Sequence, residues 1–184
     1  MNLAVLYGST YGDTAEAAAC IATALRERLG APVPLLDTAH TGLTELLKYD
    51  QLLVGCSTWY VGELQSDWAA KIADLERLDL HGRQVAFFGA GDQLGYPDTF
   101  QDALGMLAER FEACGAELKG MWPTDGYEFT DSQALRGDRL VGLALDYTTQ
   151  EALSQERIER WVDQLLLEFT LPARHAGALA QAAA

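Results

Sequence analysis

"LAVLYGSTYGDTAEAAA", residues 3–19, decides how the rest of the chain is read. Leu3 to Tyr7 is a short, continuous apolar run, as expected of a strand buried on both faces. From Ala15 to Leu29 the spacing predicts a helix made of strong helix formers, and Gly30 suits its end. Between them, Ser9, Thr10, Tyr11, Gly12, Asp13 and Thr14 form one turn rich in hydroxyls. A strand that feeds a helix through such a turn leaves free amides and the helix dipole, roughly half a positive charge, at the strand's carboxyl end. Gly12 lets the backbone curl closely around a ligand. An anion can be held there by fixed dipoles alone. No lysine or arginine accompanies them, and Asp13 adds a negative charge. The spacing is neither G-x-x-x-x-G-K-[ST] nor G-x-G-x-x-G, and an ordinary helix N-cap is the plain alternative.

Outward from that unit the pattern repeats. "VPLLD" (Val33 to Asp37) reads as a strand, and Pro34 suits an edge. Leu43 to Lys48 gives a short helix, "QLLVGC" (Gln51 to Cys56) a buried strand and Trp68 to Glu76 a helix. "QVAFFG" (Gln84 to Gly89) is another central strand. Phe100 to Cys114 carries Phe100, Ala103, Leu104, Leu107, Ala108 and Phe111 on one helical stripe. "AELKGMW" (Ala116 to Trp122) starts a strand, Pro123 to Leu140 is polar and turn-rich, and "VGLALD" (Val141 to Asp146) resumes strand character. Ser154 to Phe169 is predicted as the last helix, with no acidic partner at Arg157 to complete a capping box. The expected fold is α/β: a doubly wound, five-stranded parallel sheet covered on both faces. Residues 1–170 form its domain, and 171–184 are expected to be a disordered tail or a weak helix.

Composition narrows the partners. The 184 residues favour one domain with a substantial core. The formal net charge of −14 argues against nucleic acid, which demands a basic face, and favours a basic protein partner met by electrostatic steering. No apolar run has the length of a membrane span, and the N-terminus lacks the marks of a secretory signal. Cys20, Cys56 and Cys114 are scattered, as in a cytoplasmic protein with buried thiols. His40, His81 and His175 are equally dispersed and suggest no metal cluster.

Such sheets bind ligands beyond the carboxyl ends of their strands, where strand order reverses. Two further loops reach that edge. "STWYVGELQSDW" (Ser57 to Trp68) sets Trp59 and Tyr60 in a polar stretch, and "GAGDQLGYPDTF" (Gly89 to Phe100) carries Tyr96 among glycines and acids. Trp59 and Tyr96 are expected to flank a shared planar ligand, each stacked aromatic pair contributing about 0.5–1.5 kcal/mol. A phosphate cradle beside two aromatic plates suits a planar heterocycle with one terminal phosphate. Flavin mononucleotide (FMN) meets that description. A dinucleotide needs a second phosphate site, and none is evident.

The segments "GELQSDW", "GDQLGY", "TDGYEF" and "VGLALD" resemble the long-chain flavodoxins, most closely the second-flavodoxin type of gamma-proteobacteria, over Leu3 to about Phe169. The resemblance implies strand order 2-1-3-4-5, with strand five split by the Pro123–Leu140 insertion. It implies that Ser9 to Thr14 wrap the FMN phosphate, with Thr58 reaching the same region. Trp59 covers the inner ring face and Tyr96 the outer. The backbone of Tyr60, Val61 and Gly62 approaches N5, and the Tyr60 carbonyl turns toward a reduced N5–H. Ala90, Gly91, Asp92 and Gln93 present backbone groups to the pyrimidine edge, Thr99 lies nearby, and Asp146 contacts the ribityl chain. Family members usually have threonine at position 11 and lysine or asparagine at 13, so weaker FMN binding is expected here; they usually have a smaller residue at 60, and Tyr60 is expected to make the carbonyl turn harder. The implied function is a low-potential one-electron carrier, monomeric, taking electrons from a flavoprotein reductase and passing them to redox enzymes. An acidic site without a cation near N1 makes the fully reduced flavin a strong reductant. Glu63, Asp92 and Asp98 are placed to form an acidic docking collar. The alternatives are an FMN-dependent NAD(P)H quinone reductase and a flavin-free binding module.

Overall fold

The computed structural model describes residues 2–169, and the expected tail lies outside them. Strands β1 (Leu3–Gly8), β3 (Gln51–Cys56) and β6 (Gln84–Ala90) form the centre of a parallel sheet. β1 pairs with β3 from Leu3 opposite Gln51 to Gly8 opposite Cys56, and β3 pairs in turn with β6. β2 (Leu35–Asp37) is a three-residue edge strand on β1, shorter than the sequence suggests. The Pro34 carbonyl accepts from Val5 N at 2.9 Å, while proline itself has no N–H to offer.

The far edge of β6 is shared by two short strands. β7 (Glu117–Lys119) lies against Gln84–Ala86, and β11 (Gly142–Leu145) lies against Phe87–Ala90. The spatial order is therefore β2-β1-β3-β6-β11, with β7 beside the first half of β6. This is a doubly wound 2-1-3-4-5 sheet whose fifth strand is split, as expected. The segment between the halves is more structured than its composition suggests. β8 (Trp122–Pro123), β9 (Leu135–Arg136) and β10 (Arg139–Leu140) form a small antiparallel sheet in the order β8-β10-β9. Gly120, at φ 74°, turns the chain out of β7 toward it.

Alternation along the central strands sends successive side chains to opposite faces. Leu6, Val54 and Phe87 pack with Trp68, Leu107 and Phe111 under α2 (Ser66–Leu75) and α3 (Asp102–Ala113). Val5, Leu53 and Phe88 pack with Ile21, Leu25 and Trp161 under α1 (Asp13–Leu29) and α4 (Glu151–Glu168). Burying a large side chain such as these contributes about 1.5–3 kcal/mol. α1 and α4 are also joined where Arg28 meets Glu159 and Asp163, each at 2.6 Å. α4 begins three residues earlier than expected: Ser154 is buried inside the helix, and Gln150 takes the cap position. The Leu43–Lys48 turn is a 3-10 helix. Residues 58–64, expected as loop, contain a small hairpin of β4 (Thr58–Trp59) and β5 (Glu63–Leu64).

Candidate functional site

A cleft of about 240 Å³ opens at the carboxyl ends of β1, β3 and β6. Three loops and the turn after β11 line it. The first loop runs from Ser9 to the start of α1. Gly12 holds φ 111°, a left-handed conformation that a Cβ would strain, and its N–H donates to Ser9 Oγ at 3.2 Å. No side chain caps α1. Its first-turn amides therefore face outward without a partner from a cap. Thr14 is 1% exposed, and its Oγ1 is buried without a hydrogen-bond partner. An unmet buried hydroxyl costs about 1–3 kcal/mol. A phosphate oxygen brought to this turn would satisfy both the amides and the hydroxyl. Ser9, Thr10, Tyr11, Asp13 and Thr14 line the cleft, while Gly12 shapes the turn without lining it.

The second loop supplies Ser57, Thr58, Trp59 and Tyr60. Trp59 Nε1 donates to Ser57 Oγ at 2.9 Å. Its ring lies between two tyrosines, with Tyr11 at 5.1 Å and a 40° tilt and Tyr60 edge-on at 5.7 Å. Tyr11 is 84% exposed and turns its ring to Trp59. Tyr60 holds φ 45°, which few residues of its bulk adopt. Val61 is exposed and Gly62, at φ 86°, is buried against Asp102; neither lines the cleft.

The third loop contributes Ala90, Gly91, Asp92 and Tyr96. Asp92 Oδ1 accepts from Leu94 N and Gly95 N at 3.1 and 2.8 Å, which closes the turn before Tyr96. Gln93, Asp146 and Thr99 of the expected site do not line the cleft. Gln93 is 1% exposed and Asp146 is fully buried, and they bond to each other rather than face the cleft. Asp146 Oδ1 accepts from Thr148 N and Thr149 N, and Oδ2 from Gln93 N, Gln93 Nε2 and Thr149 Oγ1. Burial pushes the Asp146 carboxyl up, but the hydrogen bonds from Thr149 and Gln93 outweigh it and hold the group below its usual value. Thr99 sits in the turn into α3, where its carbonyl accepts from Asp102 N at 3.2 Å.

The sequence reading missed Ser57, Tyr147 and Thr148, all of which line the cleft. Tyr147 and Thr148 lie in the turn that follows β11, beyond the strand that the sequence marks. Burial, then the neighbouring Cys20 and the acids Glu16, Asp13 and Glu151, push the Tyr147 hydroxyl's pKa up. No lysine, arginine or histidine is among the described residues that line the cleft.

A doubly wound sheet with an uncapped helix N-terminus and aromatic walls at its switch point defines a class, the mononucleotide-binding α/β proteins. The family model described as Flavodoxin matches residues 5–161. A Nostoc flavodoxin is 44% identical over 171 residues, covering 92% of this chain and 98% of its own length. Flavodoxin 2 of Escherichia coli K12 is 43% identical over 172 residues, covering 92% and 97%. A solved Fusobacterium nucleatum flavodoxin, described as bound to flavin mononucleotide, shares the fold at TM-score 0.87 and 24% identity, covering 92% of this chain and 100% of that one. The chain belongs to the flavodoxin family, and it is an electron-transfer protein rather than an enzyme. The quinone-reductase reading falls with that assignment.

Proposed function

We propose that the cleft holds FMN and that the protein, with residues 1–170 as its FMN-binding domain, carries electrons singly from a flavoprotein reductase to redox enzymes. Bound FMN would supply reversible one-electron chemistry at low potential. The observation that carries the reading is the phosphate end: an uncapped α1 N-terminus, Gly12 in the left-handed region and Thr14 Oγ1 buried alone. Ser9, Thr10, Tyr11, Asp13 and Thr14 surround the phosphate, with Thr58 beside them. Trp59 and Tyr96 bound the ring and exclude water from it. Ala90, Gly91 and Asp92 offer backbone groups to its polar edge. Tyr60, Val61 and Gly62 would run along the N5 side, and Tyr60 already holds a left-handed φ that a residue of its bulk adopts at a cost.

The anion is held by amides and hydroxyls, so no mobile cation dilutes the negative field that keeps the reduced ring a strong donor. Asp92, Asp98 and Glu63, within a chain of net charge −14, present an acidic rim to a basic partner. No helix among the described residues is long and apolar enough to cross a membrane. Cys20, Cys56 and Cys114 are free thiols, as a reducing cytoplasm keeps them, and we read the working form as a monomer there.

The test is stepwise reduction of the purified protein with FMN, followed by its visible spectrum. Two separate one-electron waves are expected. A single two-electron wave would overturn the carrier mechanism, and a chain that leaves added FMN unbound would overturn the cofactor.

A further inference from the structure

Thr10 lines the cleft and is exposed, yet its hydroxyl is already engaged from behind: Gln65 Nε2 donates to Thr10 Oγ1 at 3.2 Å. Gln65 lies 55 residues further along, takes the cap position of α2 and is 1% exposed. Its amide has one workable orientation. Oε1 accepts from Asp67 N at 3.0 Å and from Trp68 N at 3.3 Å, which caps the helix, and Nε2 donates to Asp67 Oδ2 at 2.7 Å. Turned over, the amide would set its oxygen against a carboxylate and its N–H groups against two backbone N–H groups. The remaining Nε2 hydrogen is the one that meets Thr10. Gly8, the last residue of β1, makes this approach possible: a Cβ there would lie 2.5 Å from Gln65 Oε1 and 2.7 Å from Trp68 Cδ1.

We propose that Gln65 is a positioning residue for the anion end of the cleft: by donating to Thr10 Oγ1, it reserves the Thr10 hydrogen for the ligand's phosphate. The inference rests on the reading that the cleft receives FMN. A threonine hydroxyl carries one hydrogen and two lone pairs, and it rotates to suit its neighbours. Facing an acceptor, Thr10 would turn its hydrogen into the protein. Facing a donor, it cannot, and no group among the described residues accepts from it. The carboxylate that would otherwise compete, Asp67, takes the other hydrogen of the same amide. A hydroxyl set beforehand as a donor needs no reordering when an anion arrives. A neutral ligand hydroxyl, which both donates and accepts, gains less from that setting.

The experiment is a double-mutant cycle read as the ratio of FMN to riboflavin affinity at about pH 8, where carboxylates are charged, with apoprotein stability in urea measured alongside. Gln65→Glu keeps the length of the side chain and its acceptance from Asp67 N and Trp68 N, but its second oxygen accepts where the amide donated, so Thr10 turns inward. The ratio is expected to fall about tenfold, as in Thr10→Val, because each change removes one hydrogen bond to a charged group. On top of Thr10→Val, Gln65→Glu should lower it by less than about twofold more, since residues that act through one another are not additive. A full tenfold loss from Gln65→Glu in the Thr10→Val background would be plain charge repulsion and would overturn the proposal. Where a carboxylate beside Asp67 prevents folding, Gln65→Met is read instead. With its donor gone, Thr10 must choose among about three staggered hydroxyl positions, so the ratio should fall about threefold, and not at all in the Thr10→Val background. Lower urea stability with an unchanged ratio would make Gln65 a helix cap alone and overturn the proposal. A parent chain that binds neither FMN nor riboflavin takes the functional reading down as well, whereas an uncoupled cycle in a chain that binds FMN removes only this inference.

Discussion

The two ends of the cleft are built in opposite ways. At the Ser9–Thr14 end the chain leaves polar groups unmet: α1 has no side-chain cap and Thr14 Oγ1 is buried without a partner. At the Ala90–Thr99 end the polar groups are committed inside the protein, with Asp146 and Asp92 each accepting from several neighbours. In the proposed function a ligand would complete the first end, whereas the second is finished before the ligand comes. Stability should therefore reside at the second end and ligand affinity at the first, so the same kind of deletion should give opposite readouts in the two places.

Asp146→Asn should have the largest effect on stability. Replacing a buried carboxylate that accepts from Thr148, Thr149 and Gln93 is expected to cost about 3 kcal/mol in the FMN-free chain, measured by urea denaturation. The pH dependence follows from its depressed pKa. A group held lower in the folded state contributes fully above the ordinary carboxylate range, and that contribution is lost as pH falls through the folded value, beneath that range. The acid limb of the stability profile should flatten in the variant. An unchanged acid limb would show that Asp146 is not the group that titrates.

Thr14→Val should do the reverse. The apoprotein should hold its stability or gain about 1 kcal/mol, because an unmet buried hydroxyl is removed. FMN affinity should fall about thirtyfold, the loss of one hydrogen bond to a charged group of about 2 kcal/mol. Riboflavin, which lacks the phosphate, should bind as before. Equal losses for FMN and riboflavin would erase the distinction between the two ends.

The same contrast governs what could be read from the sequence. β1, β3 and β6 are continuous apolar runs buried throughout or nearly so, and residues 3–19 announced a strand, a tight hydroxyl-rich turn and a helix without help from the rest of the chain. The unmet end was legible because it depends on local chain direction and residue type. The finished end was not, because it depends on contacts between distant segments. Gln93 and Asp146 lie 53 residues apart, and nothing in either segment says that they bond to each other. β8, β9 and β10 are two residues each, too short to leave a periodic trace, so their segment read as turns. Ser154 looked like a cap because serine favours that place, yet it packs inside α4.

Tyr11 sharpens the comparison at the open end. Its sequence position suggests a missing phosphate hydroxyl, but its ring lies 5.1 Å from Trp59. If the ring is what matters, Tyr11→Phe should alter FMN affinity less than twofold, whereas Tyr11→Ala should lower it about fivefold, in keeping with an aromatic pair. Equal losses in both variants, absent with riboflavin, would place the hydroxyl on the phosphate instead.

Asp13→Asn should give the smallest effect, and its sign depends on which state is measured. Asp13 stands with Glu16 in the first turn of α1, where a carboxylate complements the helix dipole by about 0.3–1 kcal/mol. Without a ligand, Asp13 partly fills the place of an anion, so the variant should lose about 0.5 kcal/mol of apoprotein stability. With FMN present, the same carboxylate opposes the phosphate, so the variant should bind about threefold tighter at low salt. Raising ionic strength toward 1 M shortens the screening length to about 3 Å and should shrink both changes together. Shifts of one sign in both states would mean that Asp13 turns away from the cradle, and the phosphate end would then owe its selectivity to amides and hydroxyls alone.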